Sequence, residues 1–156
     1  MFARTLLFTL IAGMLLITAC THTDVFEKNV AIPGQEWSSG FKPDIDFDIT
    51  DTVSEYNIYI VIRHSDAYRY NNIWLNIYTL LPGDSTYKQR VDLRLATDSE
   101  GWLGSGMDDI YEHRILLTRT PLRKHGVYRF RLENIMREDP LQHILNAGVR
   151  VEKVKG

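Results

Sequence analysis

Asp44-Ile45-Asp46-Phe47-Asp48-Ile49 decides the fold class of this chain. Apolar residues at 45, 47 and 49 alternate with carboxylates at 44, 46 and 48. Successive side chains of a strand point to opposite faces, so this period puts one face in a core and the other in water. The pattern returns downstream. Tyr56-Asn57-Ile58-Tyr59-Ile60-Val61-Ile62-Arg63 is apolar nearly throughout, as a central strand would be. Ile73 to Leu80 follows, closed by the turn residues Pro82-Gly83-Asp84-Ser85. Tyr87 to Leu95, Ile110 to Thr118, Gly126 to Leu132 and Gly148 to Glu152 supply further extended segments. Pro140 to Leu145 reads as a helical turn opened by Asp139 and Pro140. Seven or eight strands separated by turn signals predict an all-β, antiparallel sandwich of jelly-roll type, with a barrel as the alternative.

Composition sets the outer bounds. The 156 residues suffice for one domain, and 44% hydrophobic content supports a packed core. Eighteen Lys plus Arg against 20 Asp plus Glu give a net charge of −2, which excludes binding of nucleic acid by bulk charge. One cysteine, Cys20, rules out an internal disulfide and any multi-cysteine zinc site.

The position of that cysteine carries its meaning. Arg4 precedes an uncharged stretch from Thr5 to Ala19, rich in leucine and isoleucine and shorter than the ~20 apolar residues of a membrane-spanning helix. This is the pattern of a secretory signal. It ends Leu16-Ile17-Thr18-Ala19-Cys20, which resembles the bacterial lipobox: the cysteine thiol is lipidated and the preceding peptide removed. The division expected is therefore a signal peptide over 1–19, a lipidated tether over 20–36 and the sandwich over 37–156. Thr21 leaves no Asp after Cys20, which favours the outer membrane as the site of a lipid-anchored (palmitate-bearing) envelope protein.

Several constellations invite a chemical reading. Counted from Asp44, Glu55 falls at the twelfth position of a calcium loop, but Ile49 stands where that loop needs glycine. Arg63-His64-Ser65-Asp66 holds hydrolase residue types without evidence of their geometry. Asp108, Asp109, Glu112 and His113 form the weak candidate for a metal or hydrolytic centre. His64, His125 and His143 read as solvated histidines in polar loops. Gly101, Gly104 and Gly106 around Trp102 suggest unusual backbone angles. No enzyme signature, cofactor motif or metal-ligand spacing is present, so the expectation is a non-enzyme without cofactor or metal. Tyr68, Tyr70, Trp74 and Trp102 are the candidate interaction surface; Tyr68, Tyr70 and Trp74 either pack the sandwich rim or stack on a glycan or a partner peptide. Arg114, Arg119, Arg123 and Lys124 read as a solvated basic loop that could equally face anionic lipid or glycan.

Three blocks together resemble one family, the gliding motility-associated lipoproteins named GldH. The first runs from Tyr56 through Arg63 and Tyr68-Arg69-Tyr70-Asn71-Asn72 to Leu75. The second, Ser99-Glu100-Gly101-Trp102-Leu103-Gly104-Ser105-Gly106-Met107-Asp108-Asp109-Ile110, is similar to the family's D-G-T-W-L-G-x-G-x-G-D-I type of segment. The third joins Gly126-Val127-Tyr128-Arg129-Phe130 through Met136-Arg137 to Leu141, Ile144 and Gly148-Val149-Arg150-Val151. The resemblance implies a non-catalytic envelope lipoprotein that supports gliding motility and the associated type IX secretion machinery through protein–protein contacts. It supplies no catalytic residues, and members of the family occur in bacteria that do not glide. The partners it implies are the membrane, through the lipid, and other envelope proteins.

Overall fold

The computed structural model describes residues 25–83 and 85–154; Cys20 and the signal segment lie outside the described residues. Thirteen strands form among them: β1 (Val25–Ala31), β2 (Glu36–Trp37), β3 (Asp44–Ile49), β4 (Glu55–Ser65), β5 (Asn72–Leu80), β6 (Thr86–Arg94), β7 (Ala96–Thr97), β8 (Gly101–Trp102), β9 (Ser105–Met107), β10 (Ile110–Pro121), β11 (Gly126–Asn134), β12 (Leu141–Gln142) and β13 (Ile144–Lys153). A single 3-10 turn, Pro33–Gln35, interrupts them.

Two antiparallel sheets face each other, in the orders β1-β13-β4-β10-β9 and β3-β11-β5-β6. Of the eight long strands in chain order, the first pairs with the eighth, the second with the seventh, the third with the sixth and the fourth with the fifth. That is a long hairpin rolled into two layers, the jelly-roll topology expected from the sequence. Ile45, Phe47 and Ile49 do point into the core, where Phe47 stacks on Phe130 at 5.4 Å and on Tyr128 at 5.9 Å. Ile58, Ile60 and Ile62 answer from the other sheet.

The carboxylates of β3 do not face water alone. Asp44 lies opposite Arg131 and Asp46 opposite Arg129 in the neighbouring strand, and each arginine grips its partner through Nε and Nη2 at 2.7–2.9 Å. Calcium has no claim on carboxylates held this way. On the outer face of the other sheet, Arg114 of β10 faces Val61, which faces Gly148, which faces Asn29 of β1. Because Gly148 carries no side chain, Arg114 reaches across two strands to Glu27, at 3.0 Å. Arg150 shares Glu27 at 3.1 Å, and Glu112 binds both Arg114 and Arg63. The Arg114 guanidinium holds the Glu27 carboxyl below its ordinary range, against the upward pull of burial. Removing this shared partner (Glu27→Ala) is expected to cost about 1 kcal/mol in denaturant unfolding, and the loss should shrink in molar salt.

Two expectations are corrected. The segment 20–36 is not a tether throughout: Val25–Ala31 is β1, paired residue for residue with β13 from Val25↔Glu152 to Ala31↔Asn146. As an edge strand it buries only part of its surface, so its polar residues resemble a linker. The folded domain therefore begins well before residue 37. Pro140 to Leu145 forms no helical turn; Leu141 and Gln142 pair with Trp37 and Glu36. Burial of Leu141 and Trp37 outweighs the local helix signal.

The sandwich has two distinct ends. At the lower end Val25, Glu152, Asn57 and Arg119 lie in one row. There the chain enters β1, β13 ends, and short loops join β3 to β4, β5 to β6 and β10 to β11. The upper end carries the longer connections, 66–71, 95–109 and 135–143.

Candidate functional site

The upper end gathers most of the aromatic residues singled out from sequence, around two histidines. His64 near the end of β4 and His113 of β10 both point inward, and they are 0% and 3% exposed. Their Nε2 atoms lie 2.9 Å apart, while His64 Nδ1 is 2.7 Å from the Ser65 carbonyl. Nδ1–H of His64 donates to that carbonyl, which leaves its Nε2 bare to accept from Nε2–H of His113. Both rings are thus held neutral. Burial pushes the pKa of His64 down, and burial together with the His64 ring beside it pushes His113 down to about 4.

The aromatics close over this pair. Trp102 packs on His64 at 4.4 Å, Tyr111 lies 5.8 Å from Trp102, and Tyr68 sits 5.1 Å from His64. The Tyr68 hydroxyl donates to the Asn72 carbonyl at 2.9 Å, and burial raises its pKa far above the ordinary tyrosine value. Tyr68 is 4% exposed. It therefore belongs to the interior and leaves the interaction surface proposed from sequence. Trp102 is half-buried and serves mainly as a lid on His64.

The glycines near Trp102 act largely through space. Only Gly101 has a left-handed φ, +68°. At Gly104 a Cβ would lie 2.4 Å from the Glu112 carbonyl oxygen, so the loop can press against β10 only without a side chain. The expectation of special backbone angles holds at the first of the three and is replaced by close packing at the second.

The hydrolytic or metal candidates come apart for a simple reason. Glu112 and His113 are adjacent in β10 and so face opposite sides: Glu112 binds Arg63 and Arg114 outside, His113 binds His64 inside. The same alternation separates Arg63 from His64. Among the described residues no group of three or more His, Cys, Asp or Glu side chains could hold a metal ion. His64, read from sequence as solvated, is a fully buried core residue.

Tyr70 and Trp74 do reach the surface. They line a groove of about 390 Å³ with Arg90, Ile135, Met136 and Arg137. The Arg90 guanidinium lies 4.7 Å over the Trp74 ring, and the Trp74 backbone N–H donates to Met136 Sδ at 3.3 Å. Tyr70 packs edge-on against Tyr68 at 5.6 Å, and a hydrogen bond with Glu138 raises its pKa. One face of Trp74 is thus already covered by a cation and Tyr68 is buried, so Tyr68, Tyr70 and Trp74 do not form a row of three open rings. What the groove offers is an amphipathic surface, basic and thioether-lined, suited to a protein segment.

The histidine pair predicts an acid-sensitive fold. Both pKa values are depressed in the folded state, so stability is complete above the unfolded value near 6.5 and falls as pH drops toward 4. Between pH 7.5 and 4.5 the contribution of His113 should fall by about 2–3 kcal/mol. His113→Gln keeps a donor for His64 but removes the titration; denaturant unfolding at the two pH values should show its pH-dependent loss reduced by that amount. Glu133 does not confuse the window, because burial raises its carboxyl but Lys42, Asn76 and Tyr78 bring it down to about 2.

Comparison with known proteins gives a consistent result. The model of the GldH lipoprotein family matches residues 24–151. The chain is 22% identical to the gliding motility lipoprotein GldH of Flavobacterium johnsoniae, over 92% of this chain and 94% of that one. It is 23% identical to the GldH homolog of Christiangramia forsetii, over 94% of each. Among solved structures it is similar to the VP2 protein of an infectious bursal disease virus particle, with 12% identity and a TM-score of 0.34, covering 85% of this chain but only 33% of the capsid chain. The family match takes in β1 and nearly all of β13, so it covers the jelly roll but for its last two residues, and the chain belongs to the GldH lipoprotein family.

Proposed function

We propose that this protein is a lipid-anchored component of the outer membrane that supports gliding motility and the associated type IX secretion machinery by binding other envelope proteins, without catalysis of its own. Cys20 carries the lipid, and the jelly roll is the interacting body. The observation that carries the reading is the geometry of the ends. The chain enters at Val25, at the lower end, whereas Tyr70, Trp74, Arg90 and Arg137 line their groove toward the upper end. An anchor at Cys20 holds the lower end near the bilayer and turns the groove and the longer loops away from it, toward partners. Family membership supports the same reading, since the relatives' names join lipoprotein and gliding motility.

The test is crosslinking in intact envelopes of the source bacterium followed by purification of the lipidated chain. Components of the gliding and secretion apparatus are expected to co-purify with the wild type and to be lost with Trp74→Ala combined with Arg137→Glu. Recovery of the lipidated chain without any of them would overturn the proposal.

A further inference from the structure

The lower end holds a second, larger cleft, of about 770 Å³, open between β10 and the β5–β6 hairpin. Its volume falls within the range of small-molecule sites, about 300–1,000 Å³. Ile58, Leu117, Leu122 and Phe130 line its apolar wall. Arg123 and Lys124 stand exposed at its mouth, and among the described residues no carboxylate pairs with either. The neighbouring cations behave differently: Arg119 is paired with Glu55 and Lys153 with Asp51, each at 2.7 Å. Tyr87, 61% exposed, forms the opposite lip.

We infer that this cleft takes one acyl chain of an anionic phospholipid from the adjoining leaflet, with Arg123 and Lys124 on the phosphate. The inference rests on the anchored orientation proposed above. Two further observations point to this occupant. Val25 lies five residue steps after Cys20, so the lower end stands at most about 18 Å from the anchor. Leu117 is the extra residue of a bulge between Leu116↔Tyr59 and Thr118↔Ile58, so that it and Thr118 both line the cleft and the edge of β10 is broken there. A bulged edge is a poor template for an added peptide strand, whereas an acyl chain needs no ladder.

The experiment places the mature lipidated chain in nanodiscs containing phosphatidylglycerol with a diazirine at the end of one acyl chain. After irradiation, adducts are expected on the 117–130 stretch and should be lost with Thr118→Trp, which fills the cleft from an exposed position, and with Arg123→Glu plus Lys124→Glu. Adducts scattered over the lower loops and unchanged by Thr118→Trp would overturn the inference. So would labelling of the cleft by free diazirine-palmitate but not by the phospholipid, or an equal yield from a zwitterionic lipid. A chain that fails to co-elute with the nanodiscs disproves the anchor itself and, with it, the source of the lipid.

Discussion

Replacing Cys20 by alanine should move the chain from the membrane to the soluble fraction, or leave it as an uncleaved precursor. On the proposed lipobox reading, the Cys20 thiolate is the nucleophile that takes up the diacylglyceryl group, and cleavage then frees an amine for a further acyl chain. One chain alone binds a bilayer marginally; several together hold it stably. Among the described residues no helix is long and apolar enough to cross a membrane, so they offer no helical substitute. Arg123 and Lys124 supply at most about 1 kcal/mol each at an anionic surface, an attraction that salt removes. Fractionation with a carbonate wash checks this. A Cys20→Ala protein that is normally processed and still resists the wash contradicts the lipobox reading.

Gly148→Ala carries the largest expected structural effect. Gly148 is fully surrounded where β13 passes β1, and a Cβ there would lie 2.0 Å from Asn29 Oδ1 and 2.5 Å from the Lys28 carbonyl oxygen. The side-chain amide can swing aside, but the backbone carbonyl can yield only if β1 moves. Overpacking of this kind costs about 1–3 kcal/mol. β1 is an edge strand whose backbone pairs only with β13, so the cost should concentrate there rather than spread through the core. Hydrogen exchange should show faster exchange across Val25–Ala31 with β4 and β11 unchanged, alongside a lower melting temperature. Uniform exchange across both sheets would show that the glycine is needed by the whole sandwich instead.

The contrast between what could and could not be read from sequence follows from contact range. Ile45, Phe47 and Ile49 announce their strand because the period is local and the core selects every second residue. Apolar runs at 56–63 and 73–80 do the same for the sheet centres. β1 escaped because an edge strand half in water shows weak alternation, broken at Lys28-Asn29. The roles of Asp44 and Asp46 needed the register that sets them opposite Arg131 and Arg129, more than 80 residues away. His64 and His113 are 49 residues apart, and only the pairing of β4 with β10 brings their rings together. Tyr68 was legible as an aromatic of interest but not as a buried one, since its burial depends on Trp102 arriving from a distant loop. Gly104 and Gly148 mark close backbone approaches that no single-residue propensity records.

The most direct test of the account asks which end of the domain faces which neighbour. A photoreactive benzoylphenylalanine is placed either at Tyr70, in the upper groove, or at Val53, which is 87% exposed in the loop at the lower end. Irradiation of intact cells should join position 70 to an envelope protein and position 53 to lipid. Protein crosslinks at 53 together with lipid crosslinks at 70 would contradict the account, because the anchored end would then be the one that meets partners.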